Sequence, residues 1–209
     1  MPNDNLLSVR QQLRLVELLD AADQAGLSPI RLRPLHALIY LSNVLSPVWD
    51  LTPIDGKLLK RFGGPFYPLL QAQIDRLVGS GIVLATDISH IEDGLEGCRL
   101  DASYQLEPRR AASILKCAHD QVFDIDFYKF SRELALAFAA LPFEIMERIS
   151  SEDATYGDRN IDAGNVIDFS EWQQRNFTAN VATNYGRGRN LTSGERLHLY
   201  VEQLYGRLH

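Results

Sequence analysis

The chain has 209 residues with 45% hydrophobic and 23% charged side chains, proportions that fit a globular protein and exclude a disordered or fibrous one. Its 21 Lys and Arg against 27 Asp and Glu give a net charge of -6, shared between the two halves, which argues against a protein whose main task is coating nucleic acid. Cys98 and Cys117 are too few for a disulfide framework or a zinc site, no apolar run reaches the roughly 18 residues of a membrane span, and residues 1–5 do not read as a signal peptide. A reducing cytoplasm is therefore the expected location.

The first predicted element is a helix over 6–25, stopped by Gly26 with Pro29 beyond it. At 100 degrees per residue, Leu6, Val9, Leu13, Leu15, Val16, Leu18 and Leu19 sweep most of its circumference and leave a narrow polar stripe at Arg10, Arg14 and Glu17. Such a helix needs neighbours on two sides, and part of its surface is a candidate partner contact. A short extended piece over 30–33 leads to a second helix opened by Pro34, carrying Leu35, Leu38, Ile39, Leu41 and Leu45 and ending before Pro47. After a loop with Trp49, Asp50 and Pro53, residues 57–61 read as a short basic helix, and Gly63-Gly64-Pro65 as a turn.

Residues 66–78 form a predicted amphipathic helix with Phe66, Tyr67, Leu70, Ile74, Leu77 and Val78 on one side, ended by Gly79 and Gly81. Two alternating runs, 82–88 and 98–106, flank a polar tip at 92–97 and read as a hairpin. Helix, helix, glycine turn, helix and hairpin is the layout of a winged helix-turn-helix. Helices are then expected over 108–118, 125–140 and 143–149, a mobile acidic loop over 150–168, and closing helices over 169–185 and 192–208. Thr192 and Glu195 form a capping-box pattern before Leu197, Val201 and Leu204. The expected fold class is mainly α, of α+β type. Residues 1–107 hold the first helix and the winged helix, and 108–209 a C-terminal helical region.

Chemistry-bearing motifs are few. No phosphate-binding glycine loop or nucleophile elbow is present. Asp55-Gly56-Lys57 imitates half of a nuclease signature, but it follows Pro53 and is expected to run into a helix, with Asp50 as its nearest upstream acid. Cys117 and His119 stand two apart on a helix and point away from each other, so with Asp120 and Asp124 they read as a solvated helix end. His36, His90, His198 and His209 read as surface or half-buried imidazoles, and Gly186-Arg187-Gly188-Arg189 first as a helix cap and loop. No catalytic residue, metal ligand or cofactor is expected.

The second helix of the winged motif offers Gln71, Ala72, Asp75 and Arg76 to solvent, with Leu69 and Gln73 at the margins. A DNA reader exposes basic and amide groups there, whereas Leu69, Ala72 and Asp75 suit a protein interface at least as well. Leu69, Gln71, Ala72, Asp75 and Arg76 are the candidate partner contacts. Lys57, Lys60 and Arg61, sharing one end of the expected basic helix, are the candidate contacts to DNA phosphates. The wing tip, with Glu92, Asp93 and Glu96, would be repelled from a minor groove.

The run from Leu32 to Ser42, Leu45-Ser46-Pro47-Val48-Trp49-Asp50, Asp55-Gly56-Lys57 and Gly63-Gly64-Pro65-Phe66-Tyr67 resembles the middle component of bacterial three-component ABC-ATPase conflict systems, the LmuC-like subunit of Lamassu antiphage defence. The resemblance is clearest over residues 30–85. It implies a small non-catalytic adaptor that sits with an SMC or Rad50-like ATPase and an effector nuclease, and holds the effector quiet until foreign DNA is sensed. Double-stranded DNA within the complex is a further contact on that reading, and no membrane is involved. The rival readings are a stand-alone winged-helix transcription regulator and an enzyme built on Asp50, Asp55 and Lys57.

Overall fold

The computed structural model describes residues 2–61, 63–93, 97–120, 125–157, 162–168, 176–184 and 190–208. It is a mixed α+β protein with two small antiparallel sheets. In chain order the elements are α1 (Pro2–Gln24), β1 (Ile30–Arg31), α2 (Leu32–Leu45), a 3-10 turn (Ser46–Trp49), β2 (Lys57–Arg61), β3 (Gly64–Phe66), α3 (Pro68–Gly79), β4 (Val83–Asp93) and β5 (Gly97–Leu106). Then come α4 (Pro108–Asp120), α5 (Ile125–Ala139), α6 (Phe143–Met146), a second 3-10 turn (Ile149–Glu152), β6 (Val166–Asp168), α7 (Phe177–Asn184) and α8 (Ser193–Arg207). Among the described residues no helix is long and apolar enough to cross a membrane.

The first sheet has the order β1-β5-β4. Ile30 pairs with Tyr104 and Val83 with Leu106, so the two-residue strand before α2 becomes the edge partner of the hairpin's return strand. The register slips between Thr86 and Ser89, where Asp87 takes a left-handed φ of 51 degrees, and the hairpin carries Ile88 and Leu100 into solvent.

Helices α1 and α3 end alike. Leu27 N–H reaches Ala22 O at 2.9 Å and Ile82 N–H reaches Leu77 O at 2.9 Å, each closing a left-handed cap at a glycine, Gly26 and Gly81, with φ of 79 and 71 degrees.

α2 is the central post. Apart from Arg33, its residues from Leu32 to Leu45 are buried, many of them completely. One continuous core joins Leu15 and Leu19 of α1, Leu38 of α2, Leu70 and Ile74 of α3, Phe130 and Phe138 of α5 and Leu204 of α8. The core therefore runs through both halves of the chain, across the link between β5 and α4. Truncating Leu38 or Phe130 to alanine is expected to cost about 2–5 kcal/mol, because the packed surroundings collapse only partly into the space.

Three sequence expectations are corrected. The polar stripe of α1 keeps only Arg10 exposed: Arg14 and Glu17 are buried, with Arg14 donating to Thr52 O at 2.5 Å and lying 4.5 Å above the Phe127 ring. The reason is that α5 packs along this side of α1, while Leu6 and Val9 are left in solvent. Residues 57–61 are a strand, not a helix, because β3 and the distant β6 pair with both its edges, Leu59 facing Phe66 on one side and Val166 on the other. The stretch 150–168 is not simply a mobile surface loop. Ser150, Asp153, Thr155 and Tyr156 are buried and β6 belongs to the second sheet, while 158–161 lie outside the described residues.

The expected last two helices are present as α7 and α8. α7 starts later than expected, with residues 169–175 outside the described ones. α8 carries the full Thr192 and Glu195 capping box and buries Leu197, Val201 and Leu204, with Tyr200 added.

Candidate partner interface

Helix α3 begins at Pro68, whose ring suits the first helical turn, and buries Leu70, Gln73, Ile74 and Leu77. Leu69, Ala72, Asp75 and Arg76 are exposed on the opposite side, Leu69 with 59% of its surface free. Gln71 departs from the set of five. It is half-buried, and its amide donates to Asp75 Oδ1 at 2.9 Å and to Tyr104 Oη at 3.2 Å.

Its carbonyl oxygen lies 3.0 Å from His36 Nε2, and His36 Nδ1 accepts the Tyr67 N–H at 3.3 Å. Those two bonds assign the proton of a neutral His36 to Nε2. His36 is thus a buried bracket between α2 and the start of α3, not the surface or half-buried imidazole that its sequence position suggests. Gln73, placed at the margin by helical spacing, is buried as well. Its Oε1 accepts from Ser8 Oγ at 2.9 Å and Gln12 Nε2 at 2.8 Å, tying α1 to α3. Arg76 reaches Ser8 Oγ at 3.3 Å and Gln73 Oε1 at 3.4 Å from the rim of that cluster. Of the five predicted contacts, α3 therefore leaves to solvent two apolar side chains and one charge of each sign.

Lys57, Lys60 and Arg61 do not converge. On a strand Lys57 and Arg61 share one face and Lys60 takes the other. Lys57 Nζ pairs with Asp168 Oδ2 at 3.2 Å, its neighbour in register on β6. Lys60 Nζ stands 5.5 Å from the Tyr156 ring centre, and Arg61 lies 4.0 Å above the Phe66 ring.

Asp55-Gly56-Lys57 runs into this strand rather than into a helix, so the reason for setting it aside changes. Asp55 is nine-tenths buried, and Oδ1 caps the Lys57 N–H at 3.0 Å while Oδ2 has no hydrogen-bond partner. Burial pushes its carboxyl above the ordinary aspartate range, and Asp168 adds to this, against the lowering effect of Lys57. Asn43 Oδ1 clamps the same turn from α2 by accepting the Ile54 N–H at 2.7 Å. Asp50 caps the 3-10 turn in a left-handed conformation and is exposed.

The densest polar cluster is one that motif reading misses. The buried carboxylate of Asp153 accepts from Tyr40 Oη, from Thr178 Oγ1 at 2.7 and 2.8 Å, from Tyr200 Oη at 2.5 Å and from the Thr155 N–H at 2.9 Å. α2, α7 and α8 meet on this one side chain. Burial, reinforced by Asp153, raises the Tyr40 and Tyr200 hydroxyls well above the ordinary tyrosine range, so both remain donors at neutral pH. Burial also pushes Tyr156 up to about 12, although the Arg61 N–H, which Tyr156 Oη accepts at 3.2 Å, works in the opposite direction. With its donors supplied from the protein itself, the carboxylate is a structural tie. A single acidic residue in a polar, glycine-dotted stretch gave no spacing signal for it.

Among the described residues no three His, Cys, Asp or Glu side chains gather closely enough to hold a metal ion. Cys117 is exposed on α4, and His198 Nε2 lies 3.0 Å from Glu133 Oε2. The side chains of His119, Asp120, Glu92 and Asp93, and residues Glu96, Asp124 and Gly186-Arg187-Gly188-Arg189, lie outside the described ones. No protein-family model, no curated protein and no solved structure matches this chain.

Proposed function

We propose that this protein is a non-catalytic adaptor, built on a winged helix-turn-helix, that bridges an SMC or Rad50-like ATPase and an effector nuclease in a bacterial antiphage defence complex. The observation that carries the reading is the exposed face of α3. In a winged helix this element is the one that reads a partner, and here it presents Leu69, Ala72, Asp75 and Arg76. The winged-helix assignment is supported by the order α1, β1, α2, α3, β4, β5 and by the sheet order β1-β5-β4, with β2 and β3 inserted between the second and third helices. The identity of the partners follows from the family resemblance of residues 30–85.

A stand-alone DNA reader is supported less well. It needs amide and basic groups free on α3, yet Gln71 is committed to His36, Asp75 and Tyr104, and Gln73 is buried beneath α1. Lys57, Lys60 and Arg61 are divided between two faces of a strand, so any phosphate contact they make is a local one within the complex. An active site on Asp50, Asp55 and Lys57 has a further weakness: the Lys57 ammonium is paired with Asp168.

The mechanism is differential binding in the cytoplasm. The adaptor holds the effector in its inactive arrangement, and movement of the ATPase on ATP and foreign DNA weakens those contacts. The test is a Leu69→Glu, Ala72→Arg, Asp75→Lys variant of the full chain, co-expressed with its neighbouring genes. The variant is expected to melt within a few degrees of the parent, since all three side chains are exposed, and to lose its co-purifying ATPase or effector. Normal assembly by a folded variant rejects this surface.

A further inference from the structure

Between α1, the end of α3 and α4 lies an open groove of about 470 Å³. Val9, Leu13 and Val16 of α1, Leu77 and Ile82 beyond α3, and Ile114 of α4 form its walls, which are almost wholly apolar. Leu6, Val9, Leu13 and Val16 follow one another at i, i+3, i+7 and i+10, so they line one side of α1. Halfway along, this stripe changes character: Val16 is buried, whereas Val9 is 61% and Leu6 70% exposed. An apolar stripe that leaves the core and continues over a groove of this size has the form of a seat for a helix.

The exposed charges at the margins of the groove are mostly basic. Arg76 follows Asp75 beside one wall, and Arg109 and Lys116 stand on α4 with Glu107 just before it, in a chain whose net charge is -6. Arg109, Ser113 and Lys116 are all exposed and share one side of α4, and Ser113 itself lines the groove. Arg76 is exposed at the opposite margin, next to Leu77.

A second copy of this chain would bring those cations against their own kind. A bilayer surface would leave a concave wall unfilled. We propose that the groove between α1 and α4 is a docking site for an amphipathic helix of a partner chain whose apolar stripe is bordered by Asp and Glu. The proposal goes beyond the adaptor reading, uses a surface that shares only Arg76 with the α3 face, and does not need that face to bind anything.

Cys117 lines the groove and reports on it. In the full chain carrying Cys98→Ser, the alkylation rate of Cys117 by N-ethylmaleimide is measured alone and with two synthetic helical peptides. Both have Leu at i, i+3, i+4 and i+7; one has Glu at the flanking positions and the other Lys. The Glu-flanked peptide is expected to bind and slow alkylation several-fold, and an Arg109→Glu, Lys116→Glu variant to bind it about tenfold more weakly. Equal effects of the two peptides, or no protection by either, overturn the proposal. So does protection without peptide in a dimer, which assigns the groove to a second copy, and protection by phosphatidylserine vesicles alone, which assigns it to a membrane.

Discussion

Tyr200 Oη donates to Asp153 Oδ2 at 2.5 Å with both side chains buried, so the last helix is joined to the turn after the second 3-10 segment by a charge-assisted bond. Tyr40 of α2 and Thr178 of α7 donate to the same carboxylate. Replacing Tyr200 with Phe removes one such bond and is expected to lower stability by about 1.5–3 kcal/mol. Asp153→Ala is expected to cost more, because three buried hydroxyls lose their acceptor at once. Urea denaturation checks both, as a lower midpoint at unchanged slope. A shift smaller than about 0.5 kcal/mol in Asp153→Ala would contradict the role given to this cluster.

Asp55 gives stability a pH dependence of definite sign. Its folded carboxyl is pushed above the ordinary value of 3.8, chiefly by burial, so between the unfolded and folded values the native state binds more protons than the unfolded one. The stabilisation it provides is complete below the ordinary aspartate range and is lost as pH rises through the raised value. The stability of Asp55→Asn relative to the parent is therefore expected to climb with pH through that window and then level off. Denaturation midpoints of both proteins across the acidic range measure this, and a pH-independent difference would refute it.

Gly79 and Gly81 stand two residues apart and call for opposite outcomes. Gly81 holds the left-handed cap, and a Cβ there would run into the Arg110 guanidinium, so Gly81→Ala is expected to destabilise by about 1–2 kcal/mol. Gly79 is the last residue of α3, has no positive φ, and a Cβ there meets nothing, so Gly79→Ala is expected to stabilise by about 0.5–1 kcal/mol. Thermal melts of the pair should move in opposite directions.

The capping box of α8 supplies a further test. Thr192 Oγ1 accepts the Glu195 N–H at 3.2 Å and Glu195 Oε2 accepts the Thr192 N–H at 2.7 Å, so Thr192→Ala is expected to cost about 1 kcal/mol. The bonds from Thr192 also lower the Glu195 carboxyl, and the loss should shrink as acid protonates that group.

Helical periodicity and glycine punctuation made α1, α2, α3 and α8 legible, since the features that specify them lie within each segment. The hairpin was legible from its two alternating runs. β2 was not, because Lys57 to Arg61 has no strand pattern of its own and is held extended by Phe66 on one side and by Val166 and Asp168 on the other, the latter about a hundred residues away in sequence. The burial of Arg14 and Glu17 was hidden for a similar reason: only the position of α5 tells which side of α1 is inside. In the candidate interface, Leu69, Ala72, Asp75 and Arg76 could be placed by spacing alone. The capture of Gln71 by His36 and Tyr104 depends on neighbours from α2 and β5, which no local pattern reveals.

The adaptor reading is tested most directly by expressing the tagged chain with its native genomic neighbours, purifying it, and determining the masses present by size-exclusion chromatography with light scattering. The account expects one stable assembly that also contains a long coiled-coil ATPase and an effector nuclease. A homodimer of this chain alone that shifts duplex DNA, with affinity falling steeply as salt rises, would contradict it.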